Sequence, residues 1–439
     1  MAIFCMASTF AWSQNGLNSP FSQYGIGLNN APFNMPAFSA IGGVTTTRAA
    51  SNIINPFNPA SYAAIGKETF VFDRGMNIEM STLSDKNDYL YDADGNLGYL
   101  AFGFPVTKWW KTGFGIMPMS DVNYSSIQTV SNETLGETKT AYEGTGGVTE
   151  FFWGSGFNII GGDNPDKAQL RAGFNLDFIY GNLTRAITYT FPGNDTTYFM
   201  TSRKQKDTYI SNLIIDMGMQ YEMPLGDKYR MSAAMTVTPH RLMTVEDNAL
   251  VYTYVTYSAV EYMRDTIFPQ SGNDSRFYSD LEQPLTLGFG LSMQRNDRWL
   301  VAVDAVLAPW SGLKYTENSS RSIFGDSPLR YDNNYRLGLG LQLLGNKNSA
   351  SYMRRITYSA GAHYESGRLQ TQINNRDYQL NEWGIAVGAS LPMRKGRSVL
   401  NLSAAYSSFG DINLLRRNAF IIGISLGSCE SWFVKRKFN

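Results

Sequence analysis

From Phe70 onward the chain keeps returning to one pattern, a short run in which apolar side chains alternate with small or polar ones and which then breaks at turn residues. Fourteen such runs can be drawn, over residues 70–82, 97–106, 111–119, 147–161, 168–182, 209–223, 229–240, 284–294, 298–308, 333–344, 355–366, 382–392, 397–408 and 418–427. In the eighth, Leu285, Leu287, Phe289, Leu291 and Met293 alternate with Thr286, Gly288, Gly290 and Ser292; in the tenth, Leu337, Leu339, Leu341 and Leu343 alternate with Arg336, Gly338, Gly340 and Gln342. A period of two puts these sets on opposite faces of a β-strand. Most runs reach the roughly nine to eleven residues a tilted strand needs to cross hydrocarbon. The connections sort by parity. Even-numbered runs end in short turns, such as Thr107–Trp110, Gly162–Lys167, Pro224–Lys228, Asn296-Asp297 and Met393–Gly396. The odd-numbered ones lead into longer stretches, notably Ser120–Gly146, Leu183–Thr208, Arg241–Gln283 and Pro309–Asp332. A soluble sandwich gives no reason for that sorting, whereas a membrane barrel has short turns on one side and long loops on the other. The expectation is an all-β transmembrane antiparallel β-barrel of about fourteen strands, greasy outside and wet inside. Short β-like runs in Leu183–Thr208 and Arg241–Gln283, such as Ala186–Phe191 and Leu250–Val260, are strand extensions above the membrane or hairpins folded over the mouth, and a pair of strands added to the wall would make sixteen.

Composition agrees. Aromatic residues make up 14% and charged residues 17% of the chain, against about a quarter charged in soluble domains. No stretch beyond the N-terminus has the ~18 consecutive apolar residues of a membrane helix. Lys and Arg total 37, as do Asp and Glu, so no basic surface points to nucleic acid. Met1–Gln14 reads as the back half of a secretory signal with cleavage after Ser13, which would remove Cys5 and leave Cys429 alone. The expected location is the outer membrane of a Gram-negative cell. Aromatic residues near chain ends and turns, Trp109, Trp110, Trp432 and Phe433, would mark its interface, and Phe438 next to the last position would be an assembly signal.

Ahead of the runs, Ala40–Tyr62 (AIGGVTTTRAASNIINPFNPASY) is almost uncharged, small-residued and broken by Asn55-Pro56 and Asn58-Pro59. Such a segment holds neither a long helix nor a central strand, and its lack of charge suits the inside of a barrel better than a solvated linker. The division expected is therefore residues 1–13 signal remnant, 14–66 N-terminal hatch or plug, and 67–439 barrel.

Asn58-Pro59-Ala60 resembles the motif in the hatch of the outer-membrane long-chain fatty acid transporter (FadL-like) family, and Gly113-Phe114-Gly115-Ile116-Met117-Pro118 is similar to the segment of that family's kinked third strand. The resemblance implies passive uptake of hydrophobic, fatty-acid-like molecules through an apolar pocket. It assigns Asn58, Pro59 and Ala60 to the hatch and ligand path, and Gly113, Gly115 and Pro118 to a kink that opens the wall sideways. Outer-membrane lipid and a hydrophobic small molecule are the implied partners, with no cofactor. Physically, Pro118 lacks a ladder donor, so a local break in pairing follows; the bland alternative is an ordinary strand end.

Alternation turns Arg171, Asp177, Asp216, Asp304, Arg336 and Glu365 inward. They are expected to form a polar network lining the lumen, with a substrate relay as the sharper alternative. Tyr252, Tyr254, Tyr257, Tyr262, Phe268 and Phe277 make the longest loop aromatic, either as a ligand vestibule or as a docking surface for a protein. Enzyme chemistry finds little support. His240 and His363 are the only histidines and fall at the rim and in the lumen, so no metal site is expected. Ser155 lacks the flanking glycines of a nucleophile elbow, and Gly340–Lys347 misses the phosphate-loop pattern. The alternative function is a non-transporting binding or assembly barrel, such as a type IX secretion cargo shuttle or another envelope-complex partner.

Overall fold

The computed structural model describes residues 19–23, 25–27, 32–133, 136–162, 167–192, 200–257, 260–267, 275–296, 298–312, 330–367, 369–373, 376–393 and 398–431. The signal remnant, Phe268 and the aromatic residues after Ser431 lie outside them. Strands follow as β1 Thr69–Ser84, β2 Tyr89–Pro105, β3 Trp110–Asn132, β4 Gly136–Ile160, β5 Gln169–Thr190, β6 Thr201–Leu225, β7 Tyr229–Thr238, β8 Arg241–Tyr257, β9 Val260–Ile267 and β10 Arg276–Gln283. They continue as β11 Thr286–Arg295, β12 Trp299–Ala308, β13 Arg330–Tyr331, β14 Asn334–Leu343, β15 Thr357–Glu365, β16 Leu369–Ile373, β17 Arg376–Gln379, β18 Glu382–Met393, β19 Ser398–Asp411 and β20 Leu415–Ser431.

Neighbours pair antiparallel, and β20 pairs back onto β1 from Thr69↔Ser431 to Ser84↔Arg416, closing the barrel. β7 with β8, and β10 with β11, are each one wall strand interrupted near a proline, Pro239 and Pro284, where a missing N–H interrupts the ladder. β6 borders both β7 and β8, β7 borders β11, and β8 borders β10, so the wall has fourteen strands. All fourteen runs drawn from the sequence lie on wall strands.

The faces are inverted relative to a soluble protein. Leu337, Leu339, Leu341 and Leu343 of β14 are 44–64% exposed, while Gly338, Gly340 and Gln342 are buried. Apolar side chains facing out and small or polar ones facing in are stable only against lipid.

Two expectations need correction. Much of the long connections is strand, not loop. β3 continues to Asn132 and β4 starts at Gly136, so most of Ser120–Gly146 is strand; β5 and β6 carry most of Leu183–Thr208 as strand extensions, one of the two arrangements expected for that stretch. Among the described residues β9 pairs only with β8, and β13, β16 and β17 form a separate small sheet, so neither adds to the wall. Nor is the interior simply wet. Within the barrel, Met35, Phe38, Ile41, Val44, Ile54, Tyr62 and Ile65 pack with Tyr99, Met117 and Phe152 of the wall. Towards the long-loop end, Val122, Val148, Ile179, Leu183, Ile214 and Met243 form a second apolar cluster. A barrel of this width has room to spare, and burying apolar area fills it at about 25 cal/mol per Å².

Candidate functional site

The residues before β1 touch strands all around the barrel. A short α-helix, α1 (Pro36–Ser39), and a 3₁₀ turn, Pro59–Ala64, are their main local structure. Asn58 caps the 3₁₀ turn: its Oδ1 accepts from Ala60 N–H at 3.0 Å, and its Nδ2 donates to the Thr46 carbonyl at 2.5 Å. Pro59 follows at the first helical position, where its fixed φ suits the turn and no donor is lost. Asn58, Pro59 and Ala60 are all fully or nearly fully buried. The turn lies against wall glycines because only a bare backbone leaves it room. A Cβ on Gly173 would stand 2.5 Å from the Pro59 carbonyl, and one on Gly113 2.8 Å from the Tyr62 ring. Asn175 Nδ2 donates to the Pro56 carbonyl at 2.7 Å, and Lys111 Nζ to the Ala63 carbonyl at 2.7 Å. Further round the wall, the Thr45 and Thr46 N–H groups both donate to one oxygen, Asp304 Oδ2 of β12, at 2.7 Å each.

Between β2 and β3 the wall ladder is short. It runs only from Leu100↔Ile116 to Pro105↔Lys111, although β2 begins at Tyr89 and β3 continues to Asn132. Gly113 and Gly115 sit inside this regular ladder, and the irregularity in β3 falls between Pro118 and Ser120, against β4. The backbone thus departs from regularity at the proline, while the glycines make room for Tyr62 and Phe152. Beyond Ile116, β3 is bonded by the N-terminal residues: Asn34 Nδ2 donates to Pro118 O (3.3 Å), Ser120 Oγ to Ile26 O (2.6 Å) and Ser19 N–H to Asn123 O (2.8 Å). Asn77 of β1 holds Asn34 from the other side, donating to its carbonyl at 2.9 Å.

The six inward charges do not form one network. Arg171 pairs with Glu222 at 3.0 Å near the short-turn end, and Arg230 reaches the same carboxylate, also at 3.0 Å. Asp304 holds Thr45 and Thr46. Arg336 stands opposite Glu365 across β14 and β15, and Glu365 accepts from Asn334 Nδ2 at 3.0 Å. Asp177 and Asp216 stand together, joined by Glu150 of β4. Sequence reasoning missed Glu150, and also the Glu79–Arg417 pair of β1 and β20. The same alternation would have found both, since Phe151 and Met80 point outward beside them. His363 is buried in the lumen, 3.6 Å from Glu382 and against the Phe33 ring, and His240 is exposed. Of the loop aromatics, Tyr254 and Phe277 are buried and Tyr262 is half exposed.

Above the N-terminal segment lies a cavity of about 350 Å³. Its wall mixes apolar side chains, Phe57, Met117 and Ile214 among them, with Glu150, Asp177, Asp216, Arg336 and Glu365. This is not the wholly apolar pocket the resemblance implies, because the inward positions that reach it carry several charges.

No curated protein sequence matches the chain. Solved structures of similar shape include the CymD monoaromatic hydrocarbon channel (TM-score 0.53, 14% identity, 90% of this chain and 97% of that one). The Ralstonia pickettii toluene transporter TbuX follows at 0.52 and 14%, covering 90% of this chain and 97% of that one. A Pseudomonas aeruginosa FadL homologue stands at 0.51 and 14%, covering 89% and 98%. At such identities the likeness is one of fold: the chain has the FadL-like barrel, as Asn58-Pro59-Ala60 and the β3 segment led us to expect, and these neighbours are channels and transporters rather than enzymes. The family model described as BamG matches residues 1–439 from end to end, and the chain therefore belongs to the BamG family.

Proposed function

We propose that the barrel is an outer-membrane route for passive uptake of hydrophobic small molecules, with residues 14–66 as its hatch and the β2–β3 boundary as its lateral exit. The observation that carries this reading is the ladder that stops at Leu100↔Ile116, leaving that edge of β3 to be bonded by Ser19, Ile26 and Asn34 rather than by β2. Withdrawal of that segment would leave an opening towards lipid. An apolar solute gains about 0.8 kcal/mol for each methylene it buries, so leaving sideways spares it the aqueous side. Asn58, Pro59 and Ala60 would shape the hatch end of the path, and Pro118 the bend beside the exit. The fold of the CymD channel and the TbuX toluene transporter supports a monoaromatic or fatty-acid-like cargo. The test is uptake of radiolabelled toluene and oleate by a Gram-negative host that lacks its own channel of this type. Uptake above the empty vector is expected. In a Cys429→Ser background, the oxidised pair Ser22→Cys and Asn123→Cys should abolish it, and reductant should restore it. A barrel folded at wild-type level that moves neither solute refutes the reading.

One observation favours a second reading, a binding or assembly barrel within an envelope complex such as a type IX secretion shuttle. Residues 32–66 are packed against nearly the whole circumference, a costly arrangement to undo for each molecule passed. Stoichiometric co-purification of an envelope protein with a barrel that conducts nothing would decide for it.

A further inference from the structure

Just beyond the Pro59–Ala64 turn, towards the long-loop end, three adjacent strands each bring a carboxyl group to the wall of the same cavity: Glu150 from β4, Asp177 from β5 and Asp216 from β6. The register explains the convergence. Asp177 stands opposite Phe152 on one side and Ile214 on the other, which makes Glu150 and Asp216 its diagonal neighbours. Diagonal positions lie about 7–8 Å apart and acidic side chains bridge that distance. The Asp177 and Asp216 carboxyls come within hydrogen-bonding reach of each other.

What singles out this group is the missing partner. Three other buried acids of the barrel are matched, Asp304 by two backbone N–H groups, Asp247 by Lys206, Thr208 and Ser279, and Glu79 by Arg417, while Asp73 of β1 keeps one oxygen unpaired. Asp216 accepts from the Thr238 hydroxyl. Asp177 is 2% exposed, and apart from the neighbouring Asp216 carboxyl neither of its oxygens has a hydrogen-bond partner among the described residues. No described Lys, Arg or His offsets any of the three; the charges they meet are one another's. Burying like charges side by side is costly unless a positive group joins them or a proton is taken up between them.

All three line the 350 Å³ cavity, so a positive group from outside has access and space. The remaining wall gives the ligand its shape. Phe57, Met117 and Ile214 offer an apolar surface, and Thr236 a hydroxyl. Among the described residues no set of His, Cys, Asp and Glu is grouped closely enough to hold a metal ion. An ammonium group fits better, since its three N–H donors can diverge to three separate carboxylates. We propose that this cavity binds a small amphiphilic primary amine, its ammonium end among Glu150, Asp177 and Asp216 and its apolar body against Phe57, Met117 and Ile214.

The inference deepens the uptake reading by naming the charge its cargo carries, and it rests on that reading. Calorimetry on the full chain in detergent at neutral pH tests the site without passage, using benzylammonium chloride, benzyl alcohol, sodium benzoate and calcium chloride. Saturable one-to-one binding of benzylammonium is expected, with benzyl alcohol and benzoate at least about 30-fold weaker. Asp177→Asn and, separately, Asp216→Asn should weaken it by a similar factor while each keeps the strand circular dichroism of the parent. Glu137→Gln, on the exposed end of β4, should leave it unchanged. Equal binding of benzyl alcohol, displacement of the amine by calcium, or no saturable binding overturns the proposal. Toluene uptake that persists without amine binding sinks the site alone; amine binding without uptake sinks the route alone.

Discussion

Replacing Asp304 by Ala removes the carboxylate whose Oδ2 receives both the Thr45 and the Thr46 N–H at 2.7 Å in a buried place. Hydrogen bonds to a charged acceptor contribute about 1.5–3 kcal/mol each, and the two amides left behind would have no water to turn to. The loss for this attachment is therefore about 3–6 kcal/mol. Even the lower end corresponds to roughly a hundredfold rise in local opening, because about 1.4 kcal/mol is a factor of ten. Asp304→Asn keeps an acceptor oxygen without the charge, so it should fall between the parent and Asp304→Ala. Hydrogen exchange read by mass spectrometry on peptides spanning 40–48 measures this directly, and β12 peptides serve as the internal reference. The expected pattern is much faster exchange at 45–46 in Asp304→Ala, a smaller rise in Asp304→Asn, and no change in β12. If protection at 45–46 stays within about threefold of the parent in Asp304→Ala, the wall does not anchor the segment there, and the reasoning fails.

Three further outcomes follow from the same structure. Asn58→Ala loses the cap to Ala60 and the donation to Thr46, about 2–4 kcal/mol together; Asn58→Asp keeps the cap alone, and limited proteolysis should cleave 40–66 fastest in the Ala variant. Gly173→Val drives a side chain into the Pro59 carbonyl, so the barrel should form with residues 56–64 displaced, seen as new protease sites without loss of strand content. Leu339→Arg puts a charge on the exposed face of β14, which should lower barrel stability by about 2–4 kcal/mol in lipid if that face meets the bilayer's middle; an unchanged urea midpoint in vesicles would deny the lipid-facing assignment.

Strand count, strand placement and the direction each side chain faces were legible in the sequence because they are local properties. A period of two needs only neighbours along the chain, and Leu337 through Leu343 declare their face without reference to any other strand. The lack of charge and the Asn-Pro steps of the N-terminal segment are likewise local, and they carried the expectation of a plug. Extensions such as 120–132 of β3 were read as loop because their polar, Thr- and Ser-rich runs lack a greasy face once they leave the membrane. Companionship is another matter. Thr45 and Asp304 are 259 positions apart and meet only because the closed barrel brings β12 round to that segment. Register alone decides that Glu150, Asp177 and Asp216 converge, that Arg171 joins Glu222 instead of them, and that β2 leaves β3 at Ile116. Alternation says which way a carboxylate points; closure of the sheet, a sum of pairings across hundreds of residues, says what it meets.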